Sequence, residues 1–138
     1  MSETISFTID LPVYPERVWR AWLSSAEHSA FTQQGARIRQ QVGSEFSTLE
    51  GQVNGQITTL VPHDIIAQTW HTAETPEGHI EMTLTPTCSG TELRLLHYGI
   101  PTGQSRALMT WWETHYLRPL RTYFETLVGE QIADMGDG

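Results

Sequence analysis

Apolar and polar residues alternate from Ile5 to Leu11, with Ile5, Phe7, Ile9 and Leu11 on one side and Ser6, Thr8 and Asp10 on the other. This period of two predicts a strand with one buried face, closed by Pro12. Pro15 suits the first turn of a helix, where its missing N–H costs nothing. Val18 and Trp22 are four apart, with Trp19 and Ala21 beside them, so the helix through Trp22 has one apolar side. Ser24-Ser-Ala-Glu27 is a capping-box pattern that predicts a second short helix ending near Gln33-Gln-Gly35.

Strand patterns and turn signals follow. Arg37 to Val42 alternates weakly, Gly43-Ser44 turns, and Glu45 to Glu50 leads through Gly51 into Gln52 to Val61. After the His63-Asp64 turn comes Ile65 to Thr72, then a loop from Ala73 to Gly78. His79 to Thr85 and Thr91 to Tyr98 form a hairpin across Pro86 to Gly90. About six or seven strands joined by tight turns predict an antiparallel sheet. Leu108, Trp112, Tyr116, Leu120 and Phe124 recur at helical spacing, flanked by Trp111, Tyr123 and Leu127, and predict a long final helix kinked at Pro119. Such a sheet buries its apolar face most economically by curling around that helix. The expected architecture is α+β: a curved antiparallel sheet around a long C-terminal helix, with two short helices after the first strand. One domain is expected over residues 1–128, followed by a short flexible acidic tail over 129–138.

Composition narrows the classes of function. The chain has 138 residues and a formal charge of −8, and its eight cations are all arginine. That balance argues against a nucleic-acid surface and against an anionic membrane. No segment approaches the roughly 18 apolar residues of a membrane span, and no basic-then-apolar leader opens the chain, so a cytoplasmic location is expected. The single cysteine, Cys88, lies in turn chemistry, as a reactive thiol or an incidental residue. The six histidines are scattered without metal-ligand spacing, and phosphate loops, nucleophile elbows and Cys-x-x-Cys are absent. Neither metal nor cofactor is expected.

The order strand, two short helices, antiparallel strands and long helix resembles the helix-grip arrangement of the START-like superfamily. Within it, the chain resembles the family named after the activator of the Hsp90 ATPase. The resemblance is carried by Pro15-Glu-Arg-Val-Trp-Arg-Ala-Trp22, Val42-Gly-Ser-Glu-Phe46, Gly51-Gln-Val-Asn-Gly-Gln-Ile57, Gln68-Thr-Trp-His71, Gly90-Thr-Glu-Leu-Arg-Leu-Leu-His97 and the helix from Trp112 to Leu127. Two positions depart from the family pattern. Gly43-Ser44 stands where paired glycines are usual, and Trp111-Trp112 stands for Gly-Trp, which adds bulk at the helix–sheet contact. The resemblance implies a fold and a cavity more firmly than a substrate.

Strand parity points Ile66, Gln68 and Trp70, then Ile80, Met82 and Leu84, then Leu93, Leu95 and His97 toward the helix. Leu108, Trp112, His115 and Tyr116 face them from the helix. Candidate ligand-binding residues are therefore Gln68, Trp70, Met82, Leu84, Leu95, His97, Leu108, Trp112 and Tyr116. The same residues also serve simply as core, since burying each contributes about 1.5–3 kcal/mol. Three functions follow as expectations. The first is binding of a small lipophilic or amphiphilic molecule between sheet and helix. The second, which the resemblance to START-like cyclases, dehydratases and hydrolases suggests, is an enzyme using His97 as acid or base, with Tyr116 or Glu50 orienting a polarised carbonyl. The third is a protein-binding module with Hsp90 as partner, which the family name suggests and the residues themselves do not support. A homodimer through an exposed sheet face or edge is a further expectation, set against strands whose arginines and glutamines look well solvated.

Overall fold

The computed structural model describes residues 2–136, with side chains as far as Gln131. Its strands are β1 (Ser2–Leu11), β2 (Glu45–Thr48), β3 (Val53–Val61), β4 (Ile65–Trp70), β5 (Gly78–Thr87) and β6 (Gly90–Pro101). They form one six-stranded antiparallel sheet in the order β1-β6-β5-β4-β3-β2. Helices α1 (Pro15–Trp22) and α2 (Ser25–Thr32) follow β1, and α3 (Ser105–Trp112) and α4 (Arg118–Gly136) close the chain.

The predicted helix starts hold. Pro15 opens α1, and the Ser24 hydroxyl accepts from the Glu27 N–H at the head of α2. The Glu27 carboxylate does not fold back to complete a capping box. It accepts from Arg17 and from the Tyr123 hydroxyl at 2.8 Å, tying α1, α2 and α4 together. Burial opposes its ionisation, but these two donors outweigh burial and hold the carboxyl below its ordinary range.

One expectation needs correction. Arg37 to Val42 is not a strand: only Arg37 bridges to Ser47, exchanging both backbone bonds at 2.8 and 2.9 Å. The remainder of that segment, with one buried residue at Ile38, has too little apolar face to hold a ladder. The long final helix is present, running from Ser105 to Gly136 with one irregular turn. A widened π turn, Glu113–Leu117, separates α3 from α4 just before Pro119. Proline lacks an N–H for the carbonyl four residues back, and its ring crowds that carbonyl, so the chain relieves the conflict by one loose turn. Helix α4 then continues through Gly129 to Gly136, and the last two residues lie outside the described residues.

Candidate functional site

The sheet's inward rows fix the site. Gln68 pairs with Ile80, and Ile80 with His97, so the three lie in one row across β4, β5 and β6. Ile66, Met82 and Leu95 form the next row, and Leu84 and Leu93 pair in the row after that. Leu108, Trp112 and Tyr116 close over these rows from the helix side, and all nine candidate residues are at most 7% exposed. His115 sits half-buried on the flank, beside Trp111.

The rings touch one another. Trp70 stacks on Trp112 with centroids 5.0 Å apart and meets Tyr116 at 5.6 Å, while Trp22 meets Tyr116 at 5.2 Å and Trp70 at 6.3 Å. Phe31 and Phe46 extend the stack toward α2 and β2. Indoles thus occupy the heart of the space between sheet and helix. A cleft of about 290 Å³ opens beside them, between the β4–β5 loop (Thr72, Ala73, Glu74) and α3 (Ala107, Leu108, Trp111) with the Gln104 that precedes it.

Within this apolar interior runs a sparse polar set. The Trp22 indole N–H donates to Gln68 Oε1 at 2.7 Å, and that of Trp112 donates to His97 Nδ1 at 2.9 Å. His28 Nδ1 donates to the Trp22 carbonyl at 2.8 Å, and its Nε2 accepts from the Tyr116 hydroxyl, also at 2.8 Å. Thr48 Oγ1 donates to the Tyr116 oxygen at 2.7 Å and completes the chain. Burial lowers the pKa of His28 to about 4 and, with a smaller push from His79, that of His97 to about 4. Burial also raises the Tyr116 phenol above its ordinary value. Both histidines are therefore neutral at physiological pH.

With Nδ1 accepting, the His97 proton sits on Nε2, which has no partner among the described residues, nor do Gln68 Nε2 and Trp70 Nε1. All three are donors. Gly78 lies against the His97 nitrogen because nothing larger fits: a Cβ there would sit 2.5 Å from the Trp70 backbone carbonyl and 2.9 Å from His97 Nε2. The two groups expected to orient a carbonyl beside His97 are engaged or placed otherwise. The Tyr116 hydroxyl is committed to His28 and Thr48, and Glu50 is exposed on the turn after β2. Trp22, His28 and Thr48 were not anticipated as part of the site. The apolar side of α1 was the available signal for Trp22, whereas His28 and Thr48 carry no local pattern that aims them inward. Among the described residues no group of His, Cys, Asp or Glu could hold a metal ion, and no helix is long and apolar enough to cross a membrane.

A six-stranded sheet gripping a long C-terminal helix, with two short helices after its first strand, defines a helix-grip domain of the START-like class. The sequence matches the family described as activator of Hsp90 ATPase homolog 1-like protein over residues 12–125, and the chain belongs to that family. The mouse activator of 90 kDa heat shock protein ATPase homolog 1 is 30% identical over 113 residues, covering 80% of this chain and 33% of that protein. This chain therefore spans about a third of the length of the curated relatives it matches. An Hsp90 activator from Plasmodium falciparum has the same fold at a TM-score of 0.74 and 20% identity, covering 94% of this chain and 96% of that one. The Aha1 dimer from Colwellia psychrerythraea superposes at a TM-score of 0.76 and 18% identity, over 89% of this chain and 96% of that one.

Proposed function

We propose that this domain works through protein–protein contact, as a module of the Hsp90-activator kind that engages an Hsp90-class ATPase. The observation that carries the reading is the ring-filled interior: the side chains best placed to hold a guest are instead in contact with one another. A filled core is what a rigid docking body needs and what a lipid carrier lacks. Family membership and the printed names of the mouse and Plasmodium relatives point the same way. The test is titration of the purified domain into a purified Hsp90-class ATPase, following binding by calorimetry and ATP turnover. Saturable binding with a rise in turnover is expected. Absence of binding over the accessible concentration range rejects the reading.

A second reading has its own observation. Gln68 Nε2, Trp70 Nε1 and His97 Nε2 are buried donors without acceptors, and leaving such groups unpaired costs about 1–3 kcal/mol each. None of the three lines the cleft beside Leu108 and Trp111, so a small amphiphile with its apolar part in that cleft satisfies them only where the rings part to admit its carboxylate or carbonyl. Native mass spectrometry of gently purified protein, and thermal shift with a fatty-acid panel, decide it. No bound mass and no ligand-dependent rise in Tm retire this reading. An enzymatic role for His97 rests on the same Nε2 and requires turnover that His97→Ala abolishes.

A further inference from the structure

Trp111 stands between the cleft and the buried rings. It is the aromatic residue lining the cleft, and on its inner side it meets Trp70 edge-on at 6.4 Å, Trp112 at 5.4 Å and Tyr116 at 6.0 Å. The other large rings of this cluster are pinned. Trp112 donates to His97 and stacks on Trp70, Trp22 donates to Gln68, and the Tyr116 hydroxyl is held between His28 and Thr48. Trp111 is half-buried, and its indole N–H is tied to no described residue. Ala107 precedes it by one helical turn on the same face and also lines the cleft, so nothing bulky stops the ring from swinging there. That movement breaks no hydrogen bond.

With the ring swung out, a flat slot opens against Trp70, whose Nε1–H is one of the buried donors without an acceptor. The surroundings select what enters. Gln68, Trp70 and His97 offer N–H groups but no positive charge, because His97 Nδ1 accepts from Trp112 and the ring keeps a single proton. The cleft outside carries Glu74, and no cation lines it among the described residues. A carboxylate passing this way meets a like charge and then loses its water without gaining a counter-ion, which is costly. A neutral carbonyl loses far less on desolvation and accepts from the same N–H. The walls are aromatic, so a flat ring packs against them best.

We infer that Trp111 is a swinging gate, which rotates into the cleft to admit a flat, uncharged aromatic ketone to the Trp70 N–H. Such a gate presupposes the small-ligand reading of the interior and adds to it a class of ligand and a residue that controls entry.

Probes of one shape and different head groups test it: 2-acetylnaphthalene, 2-naphthoate and 2-ethylnaphthalene, measured on the full chain by equilibrium dialysis at neutral pH. The wild type is expected to hold the ketone roughly tenfold more tightly than the carboxylate or the hydrocarbon. Ala107→Leu fills the space the ring must enter, at an exposed helical position where leucine is well tolerated, and is expected to weaken ketone binding roughly tenfold or more. Ala107→Leu/Trp111→Ala removes the gate as well and is expected to restore binding. Equal ketone affinity in wild type and Ala107→Leu overturns the proposal, and this comparison decides the gate even without the truncated variant. Binding by Trp111→Ala but not by wild type makes the ring a fixed plug and also overturns it, as does a double variant that stays empty or a preference for the naphthoate. Absence of binding of every probe by every variant removes the small-ligand reading itself, so the two failures are told apart.

Discussion

His28 and His97 are held neutral by desolvation, each with a ring nitrogen accepting from a buried donor. Their pKa is depressed to about 4 in the fold, against about 6.5 in the unfolded chain. A depressed histidine pKa means that the unfolded state binds the extra proton first. The stabilisation is therefore complete above pH 6.5 and is lost as pH falls toward 4, with a slope approaching about 1.4 kcal/mol per pH unit for each histidine. Urea midpoints measured between pH 7 and 5, above the main carboxylate range, are expected to fall with acidification. His97→Gln, whose amide oxygen still accepts from Trp112, is expected to remove about half of that slope. A flat profile contradicts the assignment. Tyr116→Phe leaves His28 Nε2 without a donor and is expected to cost about 1–3 kcal/mol, read as a lower urea midpoint with an unchanged m-value.

At the level of elements, alternation and caps made β1, α1, the start of α2 and the β5–β6 hairpin legible in the sequence, because each depends on neighbours in the chain. The inward rows from Ile66 to His97 followed from the same parity. The elements misread depend on local strain that periodicity does not encode. Leu49 and Glu50 both adopt left-handed conformations, at φ 52° and 56°, to swing Leu49 into the core after β2. Pro119 is accommodated by a loosened turn just upstream of itself. Gln33 ends α2 at φ 59°, a conformation that side chains with a Cβ adopt at a cost of about 1–2 kcal/mol. Because Gln33 is exposed, Gln33→Gly is expected to raise stability by about 0.5–1 kcal/mol despite its entropic penalty, a gain measurable as a higher thermal midpoint. Leu49→Gly relieves the same kind of strain but vacates a buried site, so a net loss of about 2–4 kcal/mol is expected.

For the whole molecule, the question was whether sheet and helix enclose space or close upon each other. The membership of the lining was readable from Gln68, Trp70, Met82, Leu84, Leu95, His97, Leu108, Trp112 and Tyr116, but its state was not. Ring against ring is a fact of tertiary distance, and the contributions of Trp22 and Phe31 from the short helices have no signature in the strand pattern. Trp112 is the test of how far this interior governs stability, since it touches Phe7, Trp70, His97 and Tyr116 at once. Trp112→Ala is expected to cost about 3–5 kcal/mol, lowering Tm by roughly 10–20 °C for a domain of this size. A shift of only a few degrees implies that the interior collapses readily around the loss.

The near-parallel Trp70 and Trp112 indoles, with planes 27° apart, sit close enough for their electronic transitions to mix. Such coupling splits the ultraviolet dichroism band into a pair of opposite sign, a signal that exists only while both chromophores keep their mutual orientation. The protein therefore carries an intrinsic optical gauge of its own interior. Trp22 lies 6.3 Å from Trp70 and Trp111 5.4 Å from Trp112, so guest entry that prises the two stacked rings apart alters the couplet, whereas docking confined to the outside leaves it untouched.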